Sequence, residues 1–139
     1  MNVSTRDGFP NKEFNPGKIG RAGFQAFLNI AQKWQLKVEQ QKILLGGIPS
    51  STYHKWKHQV ETFKDFTLSK DILERISYIL GIYKALHILL PNEEAANRWI
   101  HKKNAASLFN NETALDKMLA GNVIDLADVR RFLDAQRGT

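Results

Sequence analysis

The chain has no cysteine, which excludes disulfides and thiolate metal sites and fits a reducing cytosol. It also has no long apolar run. The longest, residues 76–90, is interrupted by Lys84 and His87 and is too short to span a bilayer. No positively charged start followed by an apolar stretch opens the sequence, so no secretory signal is read. Strict alternation of apolar and polar residues is missing nearly everywhere, which argues against strands. There is no nucleophile–base set, phosphate loop or nucleotide fingerprint, so catalysis has no support and no cofactor is expected. No internal repeat is present. What remains is an all-α, soluble, cytoplasmic protein of 139 residues, one domain or two very small ones sharing a core.

Carboxylates are scarce in only one half. Residues 1–66 hold 10 Lys/Arg against 5 Asp/Glu, whereas residues 67–139 hold 10 against 9. The net charge of +6 therefore sits almost entirely in the first half. A basic front and a near-neutral rear suggest two jobs, with polyanion binding assigned to the first.

The apolar pattern divides the chain into helices. Residues 1–17, with Gly8, Pro10, Pro16 and Gly17 and no periodicity, read as a flexible arm. From Lys18, the residues Ile19, Gly23, Ala26, Phe27, Ile30 and Trp34 recur at steps that share one helical face. A short helix over residues 38–45 should end at Gly46-Gly47, where positive φ is cheap. A further helix then starts near Pro49, with Ser50 or Ser51 able to cap its free amides.

Residues 68–90 carry the strongest pattern: Ile72, Ile76, Ile79, Tyr83, Leu86 and Leu90, widened by Leu73 and Leu80. Ser69 should cap this helix and Pro91 should stop it. Such a stripe is either a seam between subunits or a central helix buried on two sides. Three shorter helices follow, over residues 92–100, 113–120 and 125–136. The second opens on Thr113-x-x-Asp116, a capping box, and the third should bury Leu126, Val129, Phe132 and Leu133. Glu93, Glu94, Asp125 and Asp128 read as helix-start charges favoured by the macrodipole.

The stretch "GGIPSSTYHKW" has the order of a helix-turn-helix: short helix, glycine turn, second helix locked by its inner face. Ile48, Tyr53 and Trp56 supply that inner face. Ser50, Ser51, Thr52, His54, Lys55 and His58 are left for the start and the outward surface, with no carboxylate before Glu61. The start of such a helix enters the major groove, where hydroxyls reach bases and phosphates and cations meet phosphate. These are the candidate DNA-binding residues. The alternative is a plain connector between packed helices, and the local charge sign favours DNA. Ile43 stands where the motif usually has a small residue at the helix crossing. His54 and His58 share a metal-binding spacing, but no glutamate lies between them and the flanking lysines repel a cation, so no metal site is assigned.

The segments "LERISYILGIYKALHILLPNEEAANRWIHKKN" and "TALDKMLAGNVIDLADVRRFLDAQRG" resemble the Xre/MbcA/ParS antitoxins, in particular the Xre-type partners of RES-domain toxins. The pieces that carry the likeness are Arg75-Ile76-Ser77, the run from Leu80 to Leu86, Trp99 with Asn104, and Gly121, Leu126, Val129-Arg130, Leu133 and Gly138. The chain departs from the family at Asn110-Asn111, where glycine is usual; Asn tolerates the left-handed conformation best among other residues.

The resemblance implies a bipartite antitoxin. Residues 18–66 would bind operator DNA and repress the chain's own operon as a homodimer, and residues 67–91 would form the central helix. Residues 92–139 would hold a RES protein, a family tied to NAD degradation or ADP-ribosyl transfer. The chain end, carried over to Arg130, Arg131, Gln136, Arg137, Gly138 and Thr139, would approach the toxin's active site. A stand-alone helix-turn-helix regulator, whose rear half dimerises or senses a ligand, is the other reading.

Overall fold

The computed structural model describes residues 15–138, which are helical with one isolated antiparallel bridge, Lys103 to Thr113. The elements are α1 (Pro16–Lys33), α2 (Val38–Leu44), α3 (Ser50–Glu61), α4 (Lys70–Leu89), α5 (Glu93–Arg98), a 3-10 turn (Trp99–His101), α6 (Ala114–Met118) and α7 (Val123–Gly138). The expected arm over residues 1–14 lies outside the described residues. Pro16 and Gly17, read as part of that arm, form the first turn of α1 instead. Asn15 caps it by accepting from the Lys18 amide at 3.1 Å, and Pro16 gives up an amide that would have no partner there.

α4 is the axis of the molecule. Ser69 caps it by accepting from the Ile72 amide at 3.2 Å, and the helix ends just before Pro91. α1 packs on one side of it and α7 on the other. Within the chain α4 is buried through Ile76, Ile79, Ile82, Ala85 and Leu86. Leu80 and Ile88 are left exposed. The core runs without a break from Phe24 and Phe27 on α1, through α4, to Leu126, Val129 and Leu133 on α7. Burying each such side chain contributes about 1.5–3 kcal/mol.

The inner face of α1 differs from its apparent stripe. Gly20, Phe24, Phe27, Ile30 and Ala31 are buried there, whereas Ile19 is exposed. The reason is the segment between α3 and α4, which crosses α1 at its first turns. The Phe66 amide donates to the Gly17 carbonyl at 3.2 Å, and the Phe66 carbonyl lies directly over Gly20.

Candidate functional site

α2 ends in a Schellman motif. The Gly46 amide donates to Ile43 O at 2.9 Å and the Gly47 amide to Lys42 O at 2.8 Å, with φ of +98° and +82° at the two glycines. Two consecutive left-handed residues turn the chain so that Ile48 and Pro49 lead into α3. Neither serine caps that helix. Pro49 occupies the cap position, and the Ser50 hydroxyl instead receives a hydrogen bond from the Lys42 ammonium. The expectation fails because the turn delivers both serines already inside the first helical turn, with their side chains exposed. The amides of residues 50–52 precede the first helical bond, Tyr53 N to Pro49 O, and so remain available to an anion.

A buried polar lock that sequence reading missed joins the two helices. The Tyr53 hydroxyl donates to Gln41 Oε1 at 2.6 Å, and Gln41 Nε2 donates to Leu36 O at 3.0 Å. Burial raises the Tyr53 pKa, so the phenol stays a donor. Nothing in the sequence singles Gln41 out, since it stands in the polar run from Glu39 to Lys42. Ile43 is not at the helix crossing: it is 38% exposed and sits beside Gly121, while Gln41 and Leu44 take the inner positions. The bulk at Ile43 therefore does not press α2 and α3 apart.

The outer surface of α3 is cationic and open. Ser50, Ser51, His54, Lys55 and His58 are exposed, and Thr52 is half-buried. Among the described residues, Lys55 and Lys57 meet no carboxylate. The nearby Asp65 is held by Arg21 at 2.8 Å, on α1. Trp56 turns inward, stacked on Phe66 with centroids 5.8 Å apart and edge-on to Phe24 at 5.6 Å. Replacing Trp56 by Ala should cost about 3 kcal/mol, the lower end for a large aromatic because the ring is only half-buried. Denaturant unfolding checks this, and an unchanged midpoint would remove Trp56 from the core.

Arg75 ties this half to the rear. Its guanidinium lies against Gly46, pairs with Asp71 at 3.1 Å and donates to the Gly121 carbonyl at 3.1 Å. Arg130 does the same from the other side. It folds over Gly81 of α4, reaches Ser77 O at 3.5 Å and pairs with Asp134 at 3.5 Å. Arg131 is exposed and paired with Asp128. Arg137 pairs with Asp134 at 3.6 Å, Gln136 and Gly138 are exposed, and Thr139 lies outside the described residues. Of the candidate toxin-facing residues, Arg130 leans over α4 yet its side chain stays about as accessible as that of Arg137, and Arg131 is more exposed than either. Asp125 and Asp128, read as dipole charges, also share the half-buried Lys117 ammonium at 3.1 and 3.5 Å.

Trp99, Phe109 and Phe132 form an aromatic cluster under the loop after the 3-10 turn, with centroids 5.1 to 6.4 Å apart. The loop is shaped by Asn110 and Asn111 at φ of +51° and +65°, the left-handed conformation expected where glycine is usual.

Two family models match this arrangement. Residues 19–81 match the antitoxin Xre-like helix-turn-helix domain, and residues 85–138 match the antitoxin Xre/MbcA/ParS C-terminal toxin-binding domain. The chain belongs to the Xre/MbcA/ParS antitoxin family. A relative, the uncharacterized protein y4oB of Sinorhizobium fredii, is 45% identical over 117 residues, 84% of this chain and 85% of its own length. No solved structure matches. In this antitoxin the two matched regions meet within α4, so one helix serves both. Among the described residues, no helix is long and apolar enough to cross a membrane.

Proposed function

We propose that this antitoxin binds and silences a RES-domain toxin and represses its own operon through DNA binding as a homodimer. Residues 18–66 grip the operator, residues 92–139 hold the toxin, and the helix between them joins the two. The observation that carries the reading is the pairing, in one chain, of an α3 surface whose lysines meet no carboxylate among the described residues with a matched toxin-binding domain. That domain supports an antitoxin over a stand-alone regulator. Operator contact runs through Ser50, Ser51, Thr52 and His54 at the start of α3, with Lys55 and His58 on the phosphates. The exposed Leu80 and Ile88 offer apolar surface to a second copy.

The deciding experiment is co-expression with a cognate RES-domain protein. Growth should be rescued and the two chains should co-purify. Toxicity that persists at full antitoxin expression would exclude the RES assignment. Replacing Lys55 by Ala should weaken operator binding at every sequence tested and reduce the slope of log K against log salt by about 0.9, one phosphate contact. A titration from low to physiological salt measures this, and an unchanged slope would take Lys55 off the DNA.

A further inference from the structure

The end of α4, the 3-10 turn and α7 enclose an open groove of about 360 Å³, near the small end of ligand-sized clefts at roughly 300–1,000 Å³. Leu86 and Leu133 are buried at its floor. Its walls are half-buried apolar side chains: Leu89 and Leu90 from the end of α4, Trp99 and Phe132 opposite. Gln136 and Asn104 add polar groups at the edge.

This groove is built before anything enters it. Trp99 and Phe132 are held by each other and by the buried Phe109 behind them. Asn104 is tied at three points. Its amide donates to Glu112 O at 3.0 Å, its carbonyl accepts from Asn111 N at 3.1 Å, and its Oδ1 accepts from Ala106 N at 2.9 Å. The left-handed Asn110-Asn111 turn makes the second of these possible. With Oδ1 engaged, the side-chain NH2 is the group Asn104 offers a ligand. A rigid apolar slot loses little entropy on filling.

We propose that this groove anchors the toxin, taking a leucine or aromatic side chain from a toxin segment that carries acidic residues beside it. The proposal rests on the toxin-binding reading above and names what that surface grips. Every lining residue falls between positions 86 and 136, inside the region matched to the toxin-binding domain, and none comes from α1, α2 or α3. The acidic flank follows from charge: Lys102 and Lys103, immediately before Asn104, are exposed and meet no carboxylate among the described residues. A nucleic acid would not choose an apolar slot, and a second copy would bring the same two lysines to the same edge.

The test uses the full chain and the RES-domain protein with which it is co-expressed. Leu90→Arg should weaken their complex about 30-fold, the size of one interface hot spot, while operator binding and melting temperature stay at wild-type values. Charge reversal of Lys102 and Lys103 should weaken the complex at low salt and lose its effect at high salt. Should Leu90→Arg disturb folding, a photo-crosslinking residue at position 90 should crosslink to the toxin. A Leu90→Arg complex of wild-type affinity, or an intact complex with no crosslink, overturns the groove assignment alone. A variant that binds toxin normally but changes only the antitoxin's own oligomeric state gives the groove to a second copy and also overturns it. If the wild-type chain forms no complex, the toxin-binding reading fails and takes this proposal with it.

Discussion

Replacing Gly20 by Ala should destabilise the antitoxin by about 2 kcal/mol, although alanine is the better helix former. A Cβ at this position would lie 2.0 Å from the Phe66 carbonyl oxygen, 3.1 Å from its carbon and 3.2 Å from the Leu68 amide. These are backbone atoms, so no rotamer change relieves the clash, and the whole segment between α3 and α4 must lift. Lifting it strains the Phe66–Gly17 hydrogen bond and shifts the Phe66 ring, which packs on Trp56 and Phe24. Overpacking at the top of its usual range costs about 3 kcal/mol, and alanine returns roughly 1 kcal/mol of helix propensity. The net loss should lower the melting temperature by roughly 8 °C for a chain of this size.

The control is one turn away. A Cβ at Gly23 would meet only Leu73 Cδ2 at 3.9 Å, an ordinary contact. Gly23→Ala should therefore leave stability unchanged or raise it by up to about 0.8 kcal/mol. Equal melting of the two variants would mean that the crossing over Gly20 is not as close as described. Because the same segment positions Trp56, Gly20→Ala should also impair DNA binding, and only in proportion to the unfolded fraction.

Gly20 also marks what could be read before the structure. Local chemistry was legible: Ser69 and Pro91 bound α4, Thr113 and Asp116 form the capping box of α6, and Gly46-Gly47 make the turn of the helix-turn-helix. Each depends on residues within a few positions of one another. Gly20 carries no local signal because its need comes from a backbone 46 positions later. The same holds for the bond from Arg75 to Gly121, the fold of Arg130 over Gly81 and the lock between Gln41 and Tyr53. The outward residues of α3 followed from helical spacing and charge sign. The toxin-facing set did not: it came from resemblance to a family, and in the structure Arg130 and Arg137 both pair with Asp134 while Arg131 pairs with Asp128.

Deleting Arg137, Gly138 and Thr139 should leave the toxin bound but active. The fold tolerates the cut because α7 is held by Leu126, Val129 and Leu133, all upstream, and the Arg137–Asp134 pairing it removes, at 3.6 Å, is a surface pair worth under about 1 kcal/mol. That weak pairing also makes the guanidinium cheap to recruit. A cleft that handles a phosphate-bearing substrate holds groups that orient charge, and a planar five-donor fork can occupy them. The deletion spares Gln136 and the rest of the groove, so co-purification, melting temperature and operator binding should match the full chain while toxin activity returns at least about 10-fold, the effect of losing one charged hydrogen-bonded contact. Arg137→Ala should reproduce most of this and Arg131→Ala little of it, since Arg131 sits about two turns back from the end. Anchoring and silencing would then be separable, with Leu90→Arg losing the complex and the truncation losing only inhibition. A truncated chain that still silences the toxin would assign inhibition to the groove itself, with a slot filled by the toxin's own segment holding the active site shut from a distance.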